Sequence, residues 1–275
     1  MIEFIREFLS YPFLVRALIS GTLVSLCSAL LGVPLVLKRY SMIGDGLSHV
    51  GFGALAIASA LNWAPLYVAI PTVAAAAFLL LRLTSDSRIN GDGAIALIST
   101  CSLAVGVIVI SASTGMNTEI SNYLFGSILS MSPGDVRLSV CAAAVMLVLF
   151  ILFYGRIFAV TFDETFARAI GVRAGVYNTL IALLTALTIT VGMRIMGSLL
   201  ISGLIIFPAL SSMRLCRSFR GVMICSCTVS LICFFAGVAA SYAFALPTGA
   251  SVVCADTAAF ALLSLIGALL RRNRA

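Results

Sequence analysis

Charge is what this sequence lacks. Asp, Glu, Lys and Arg together make up 10% of its 275 residues, where soluble domains carry about 25%. Hydrophobic residues reach 61%, so a water-soluble globule is excluded and a polytopic membrane protein is expected. There is one histidine, His49, one lysine, Lys38, and one tryptophan, Trp63. Catalytic signatures are missing as well. No GxxxxGK[ST] loop is present, which excludes that mode of ATP binding. Neither GxSxG nor HExxH occurs, and Ser48 beside His49 is no catalytic pair, because adjacent helix residues face different directions.

The eight cysteines form no CxxC. Most lie inside apolar segments and read as small packing residues, so a disulfide framework is not expected. The N-terminus does not read as a signal peptide: Glu3 and Glu7 interrupt the basic region and no small-residue cleavage site follows. The first apolar segment is expected to stay as an anchor.

What is present is a series of apolar runs. Residues 1–11 set Ile2, Phe4, Ile5, Phe8 and Leu9 against Glu3, Arg6 and Glu7, a pattern suited to an interfacial helix. A spanning helix needs about 20 apolar residues. Spans are expected from Pro12 to about Leu37, with Gly32 and Pro34 kinking its end, then at 43–61, 66–83, 94–113, 136–154, 176–193, 198–215, 222–244 and 252–270. The segment 122–129 is too short to cross and suits a re-entrant or interfacial helix. The fold expected is therefore all-α: one transmembrane bundle of eight to nine spanning helices over residues 1–275.

The net charge is +7, and 16 of the 17 basic residues are arginines. Nucleic acid is not the partner this implies, because the basic residues sit in loops between spans. Alternating the nine spans puts Lys38, Arg39, Arg82, Arg88, Arg156, Arg168, Arg173, Arg214, Arg217, Arg220, Arg271, Arg272 and Arg274 on one side, 13 of 17. By the positive-inside rule that side is cytoplasmic.

Two stretches carry candidate chemistry. In Gly44-Asp45-Gly46-Leu47-Ser48-His49, Asp45 and His49 are four residues apart and share one helix face. An intramembrane carboxylate and imidazole need a reason to be there. They suit a transition metal, Zn²⁺ foremost and Mn²⁺ or Fe²⁺ less selectively, held weakly enough to be released. A structural Asp–His hydrogen bond is the competing reading. Asp256, in the last span, is a second intramembrane carboxylate with no evident partner. The other stretch, Gly155 to Arg173, is the longest soluble-looking piece. Thr161 and Glu164 are spaced as a capping box, Glu164 and Arg168 as an i,i+4 pair. Phe162, Phe166 and Ile170 form an apolar stripe, and Gly171 is placed as a helix stop. A short amphipathic helix on the cytoplasmic side is expected.

The chain resembles the membrane subunit of bacterial zinc, manganese and iron importers of the ATP-binding-cassette class. The resemblance rests on Ser41-Met42-Ile43-Gly44-Asp45-Gly46-Leu47-Ser48-His49 after Lys38-Arg39, Tyr123-Leu124-Phe125-Gly126-Ser127-Ile128-Leu129, the run Phe162-Asp163-Glu164-Thr165-Phe166-Ala167-Arg168-Ala169-Ile170-Gly171-Val172, Leu204-Ile205-Ile206-Phe207-Pro208-Ala209, and Pro247-Thr248-Gly249-Ala250. It implies a homodimeric permease of the bacterial cell membrane that does no covalent chemistry and keeps no bound cofactor. It implies a cytoplasmic ATP-binding subunit and an extracytoplasmic metal-binding protein as partners. Asp45 and His49 would handle the ion. Phe162, Asp163, Glu164, Phe166, Arg168 and Gly171 would engage the ATPase; Thr165 stands where relatives often have an acid. Alternating access is the implied mechanism. A permease for a metal chelate, such as a siderophore or haem, would not need the Asp–His pair. A secondary metal/proton carrier would leave the cytoplasmic helix unexplained.

Overall fold

The computed structural model describes residues 12–85, 91–113, 126 and 133–272. Among them every regular element is helical: α1 Pro12–Leu37, α2 Ile43–Ala60, α3 Pro65–Ser85, α4 Gly91–Ala112, α5 Pro133–Leu152, α6 Tyr154–Phe162, α7 Glu164–Ala169, α8 Ala174–Met196, α9 Ser198–Leu215, α10 Phe219–Phe244 and α11 Thr248–Arg272. Residues 1–11 and most of 122–129, for which an interfacial and a re-entrant helix are expected, lie outside the described residues.

The helices start and stop where local chemistry directs. Proline opens α1, α3 and α5, where its missing N–H would be unpaired anyway. At the end of α1, Arg39 adopts φ +61°, and the Arg39 and Tyr40 amides donate to Val36 and Leu35 carbonyls at 3.1 and 2.9 Å. This double bond closes the last turn. Asn62 does the same after α2 with φ +54°.

Seven helices (α1, α3, α4, α5, α8, α10 and α11) are long and apolar enough to cross a membrane. The other two of span-like length, α2 and α9, have 18 residues each, about 27 Å at 1.5 Å per residue. The chain is thus a multi-pass membrane protein. Among the described residues seven helices are candidate spans, close to the eight to nine expected. α9 is apolar but shorter over its described residues, and α2 carries Asp45 and His49. Among the described residues α2 packs on α3, α4, α8 and α9, and α9 on α1, α2, α8, α10 and α11.

Close approach is bought with small residues, as membrane packing demands. A Cβ on Gly32 would stand 2.0 Å from the Ile205 carbonyl oxygen, so Gly32 marks the α1–α9 crossing. Gly53 and Gly106 let α2 and α4 touch backbone to backbone. A buried serine seam joins α1 to α10: Ser25 Oγ lies 2.6 Å from Ser230 Oγ, and Ser226 Oγ donates to the Ala29 carbonyl at 3.2 Å. Pro208 does not break α9, which is continuous from Ser198 to Leu215.

The two ends of the bundle differ. One gathers Tyr40, Arg82, Glu164, Arg168 and Asn178, with Lys38 bonded to Glu164 and Asn178. The opposite end gathers Ala64–Tyr67, Asp135, Arg137 and Arg194, with Arg194 Nη2 2.9 Å from Asp135 Oδ2. This agrees with the alternation read from the basic residues.

One expectation is corrected. The stretch after α5 is two helices, α6 and α7, broken at Asp163, whose φ is −148°. Thr161 is no cap. It lies inside α6, and its hydroxyl donates to the Ile157 carbonyl at 2.6 Å. The cap of α7 is Asp163, which accepts from the Phe166 amide at 2.9 Å.

Candidate functional site

Asp45 falls in the first turn of α2, where the amide dipoles favour a negative charge. Its flanking glycines fix which way it faces. Gly44 abuts Ser202 and Ile205 of α9, and Gly46 abuts Ile95 of α4. At 100° per residue, Asp45 therefore points between α4 and α9, and His49 follows it one turn on. That face is only partly covered within one chain: the Asp45 side chain is 39% exposed and that of His49 12%.

Asp45 Oδ2 and His49 Nε2 are 3.6 Å apart, too far for a hydrogen bond. Two donors at ~2.1 Å from one tetrahedral ion would stand about 3.4 Å apart. The separation is longer than a closed hydrogen bond and close to that of two ligands of one ion. His49 Nδ1 is buried and has no hydrogen-bond partner among the described residues, so no second group fixes the ring as in tight metal sites. Among the described residues no three His, Cys, Asp or Glu side chains gather into a metal site. Asp256 in particular does not join the pair. It is wholly buried on α11, and Cys233 of α10 faces it.

The second candidate region is α7. Asp163 caps it. Glu164 Oε1 accepts from Arg168 Nη2 at 2.6 Å, the expected i,i+4 pair. Gly171, at φ +85°, ends the helix: its amide reaches the Arg168 carbonyl at 3.0 Å and that of Val172 the Ala167 carbonyl at 2.9 Å. Ala167 points inward. Phe162, Phe166 and Ile170 are exposed. Phe162 also joins an aromatic group with Phe158 and Phe219, ring centroids 4.9 to 5.8 Å apart.

Lys38 and Asn178 were not singled out by the sequence, yet both meet α7. Lys38 Nζ donates to Asn178 Oδ1 at 2.6 Å and to the Val160 carbonyl at 3.1 Å, and lies 3.4 Å from Glu164 Oε2. Asn178 Nδ2 donates to Glu164 Oε2 at 3.2 Å. Burial alone would raise the Glu164 carboxyl. Hydrogen bonds from Asn178 and Arg168 and the Lys38 charge outweigh it and hold Glu164 below the ordinary carboxylate value. Burial pulls the Lys38 ammonium down against the opposing pull of Glu164. The signals in the sequence were the singularity of that lysine and its place in the Lys38-Arg39 pair ahead of the Asp45–His49 stretch.

A family model described as ABC 3 transport family matches residues 10–267. A Thermotoga maritima protein named "Probable metal transport system membrane protein" is 31% identical over 92% of this chain and 89% of its own length. The "Manganese transport system membrane protein MntC" of Halalkalibacterium halodurans is 26% identical over 94% and 89%. Among solved structures, "PsaBC from Streptococcus pneumoniae in complex with Fab" superposes with a TM-score of 0.86 at 28% identity, covering 96% of this chain and 95% of that one.

Proposed function

The chain belongs to the ABC 3 transport family and is a metal-transport permease, and we propose that Asp45 and His49 are the ligands through which it passes a divalent transition-metal ion to the cytoplasm. The observation that carries this is the 3.6 Å acid–imidazole spacing on a helix face that one chain covers only in part. Two donors cannot close a site. A second copy packed across the α4–α9 gap would bring two more, so the working unit is a homodimer with the path on its axis. The loose hold suits transport, since the ion must leave as readily as it enters. A metal-binding protein delivers the ion from outside. A cytoplasmic ATP-binding subunit docks on α7 and its two ends, where exposed Phe162 at the end of α6, Phe166 in α7 and Ile170 just after it form an apolar seat.

The donors do not choose the ion. Carboxylate and imidazole hold zinc more tightly than manganese, yet relatives are named for manganese transport, so manganese is placed first and zinc second. The test is isotope uptake by cells carrying the whole transporter, with Asp45→Ala and His49→Ala at matched membrane levels. Uptake of one metal falling at least tenfold in both variants would name the cargo and the site. Uptake persisting in both would reduce the pair to a packing contact.

A further inference from the structure

Lys38 is held by three elements of the docking side at once: the Val160 carbonyl at the end of α6, Glu164 at the start of α7 and Asn178 in the first turns of α8. Its side chain is 9% exposed. A charge so enclosed is costly to leave unpaired, so it must follow its partners. Glu164 is equally committed, one oxygen to Arg168 and the other shared by Lys38 and Asn178.

The link from Lys38 to the metal pair is short and stiff. Only residues 38–42 separate α1 from α2. The Lys38 amide donates to the Pro34 carbonyl at 3.0 Å, Tyr40 to Leu35 at 2.9 Å, Ile43 to Tyr40 at 3.0 Å and Gly46 to Met42 at 3.0 Å. Asp45 is two residues into α2. Toward the core, Lys38 is packed with Leu35, Ile43, Leu81 and Ile181 around almost no free space. Outward, an open cleft of 420 Å³ beside Tyr40, Arg82, Glu164 and Asn178 leaves the node room to move.

We propose that the Lys38–Glu164–Asn178 node is a positioning contact that carries movement of the ATPase-docked α7 to α2 and so to the Asp45–His49 pair. This rests on the function proposed above. A rigid tie between two elements is the means by which one site can bias the arrangement of another.

The test uses the complete transporter with its ATPase in proteoliposomes, measuring manganese and zinc moved per ATP hydrolysed. Lys38→Met is expected to keep its ATPase and hydrolyse ATP within about twofold of native, while ion moved per ATP falls about tenfold or more. Lys38→Arg, which keeps the charge and the donors, should recover most of the native ratio. Asn178→Ala, which strands no charge, should fall between. A role in folding alone would lower assembly and leave the ratio of the assembled complex unchanged. Native ratios in both Lys38→Met and Asn178→Ala would overturn the proposal. If Lys38→Met fails to assemble, a native ratio in Asn178→Ala overturns it alone. Asp45→Ala in the same liposomes separates the two ideas: native transport there would sink the metal-pair reading, while the node still stands or falls on Lys38 and Asn178.

Discussion

The docking helix offers a quantitative test because so little holds it. α7 has six residues, too few to be stable by itself, so its two ends decide its population. At one end Asp163 accepts from the Phe166 amide at 2.9 Å; removing such a cap costs about 1 kcal/mol. At the other, Gly171 sits at φ +85° with nothing within 4 Å of an added Cβ. Gly171→Ala would thus be opposed by backbone conformation alone, about 1 kcal/mol. If the ATPase binds only the formed helix, each change weakens binding roughly fivefold, and the two together about thirtyfold because the sites are separate. The assay is the dissociation constant of the purified ATPase subunit for the permease in nanodiscs. Asp163→Ser restores a capping oxygen without the charge and should bind within about twofold of native. Native affinity in both Asp163→Ala and Gly171→Ala would refute the reasoning. A loss in Asp163→Ser as large as in Asp163→Ala would show that the charge, not the cap, is what matters.

Gly32→Leu should cost more than any serine in the α1–α10 seam. The side chain must displace the Ile205 backbone, and overpacking of a well-filled crossing costs ~1–3 kcal/mol, whereas a membrane hydrogen bond such as Ser25–Ser230 is worth about 0.6 kcal/mol. Thermal melting in detergent should rank Gly32→Leu well below Ser25→Ala, and the reverse order would be fatal to the assignment of that crossing. Glu164 sets a pH dependence. Its carboxyl is held below the ordinary 4.5, so its stabilising contribution is complete above that value and lost as pH falls through the lower folded value. The change in melting temperature between pH 7 and 5 should owe nothing to this group. Below about pH 4.5 the native protein should lose stability more steeply than Glu164→Gln, and parallel curves would contradict it.

What could be read from the sequence follows from how local each feature is. Apolar runs long enough to cross a membrane announce themselves, and α9 spans the residues expected, 198–215. Asp45 and His49, or Glu164 and Arg168, are four apart, so one turn of helix brings them together whatever the rest of the chain does. The cap of α7 was misplaced because Thr161 and Asp163 both stand in capping position ahead of a helical pattern. The chain decides for Asp163 because α6 continues to Phe162 and absorbs Thr161. Glu164 and Asn178 are 126 and 140 residues from Lys38 along the chain, and Ser25 and Ser230 are 205 apart. No periodicity encodes such meetings; they appear only once the helices are packed.

The placement of polar groups follows one logic. Seven helices are long and apolar enough to cross a membrane, and the buried polar residues among those described lie where helices meet, with α2 packed on α3, α4, α8 and α9. An acid and an imidazole on such a helix are shielded from lipid yet open toward the gap between α4 and α9. A third protein ligand within the same chain would tighten the hold on an ion and slow its release. Its absence among the described residues, together with the unbonded Nδ1 of His49, leaves a site whose strength depends on what approaches from across the gap. On the function and the node proposed above, anything that shifts α2 through its five-residue link to Lys38 changes the grip on the ion.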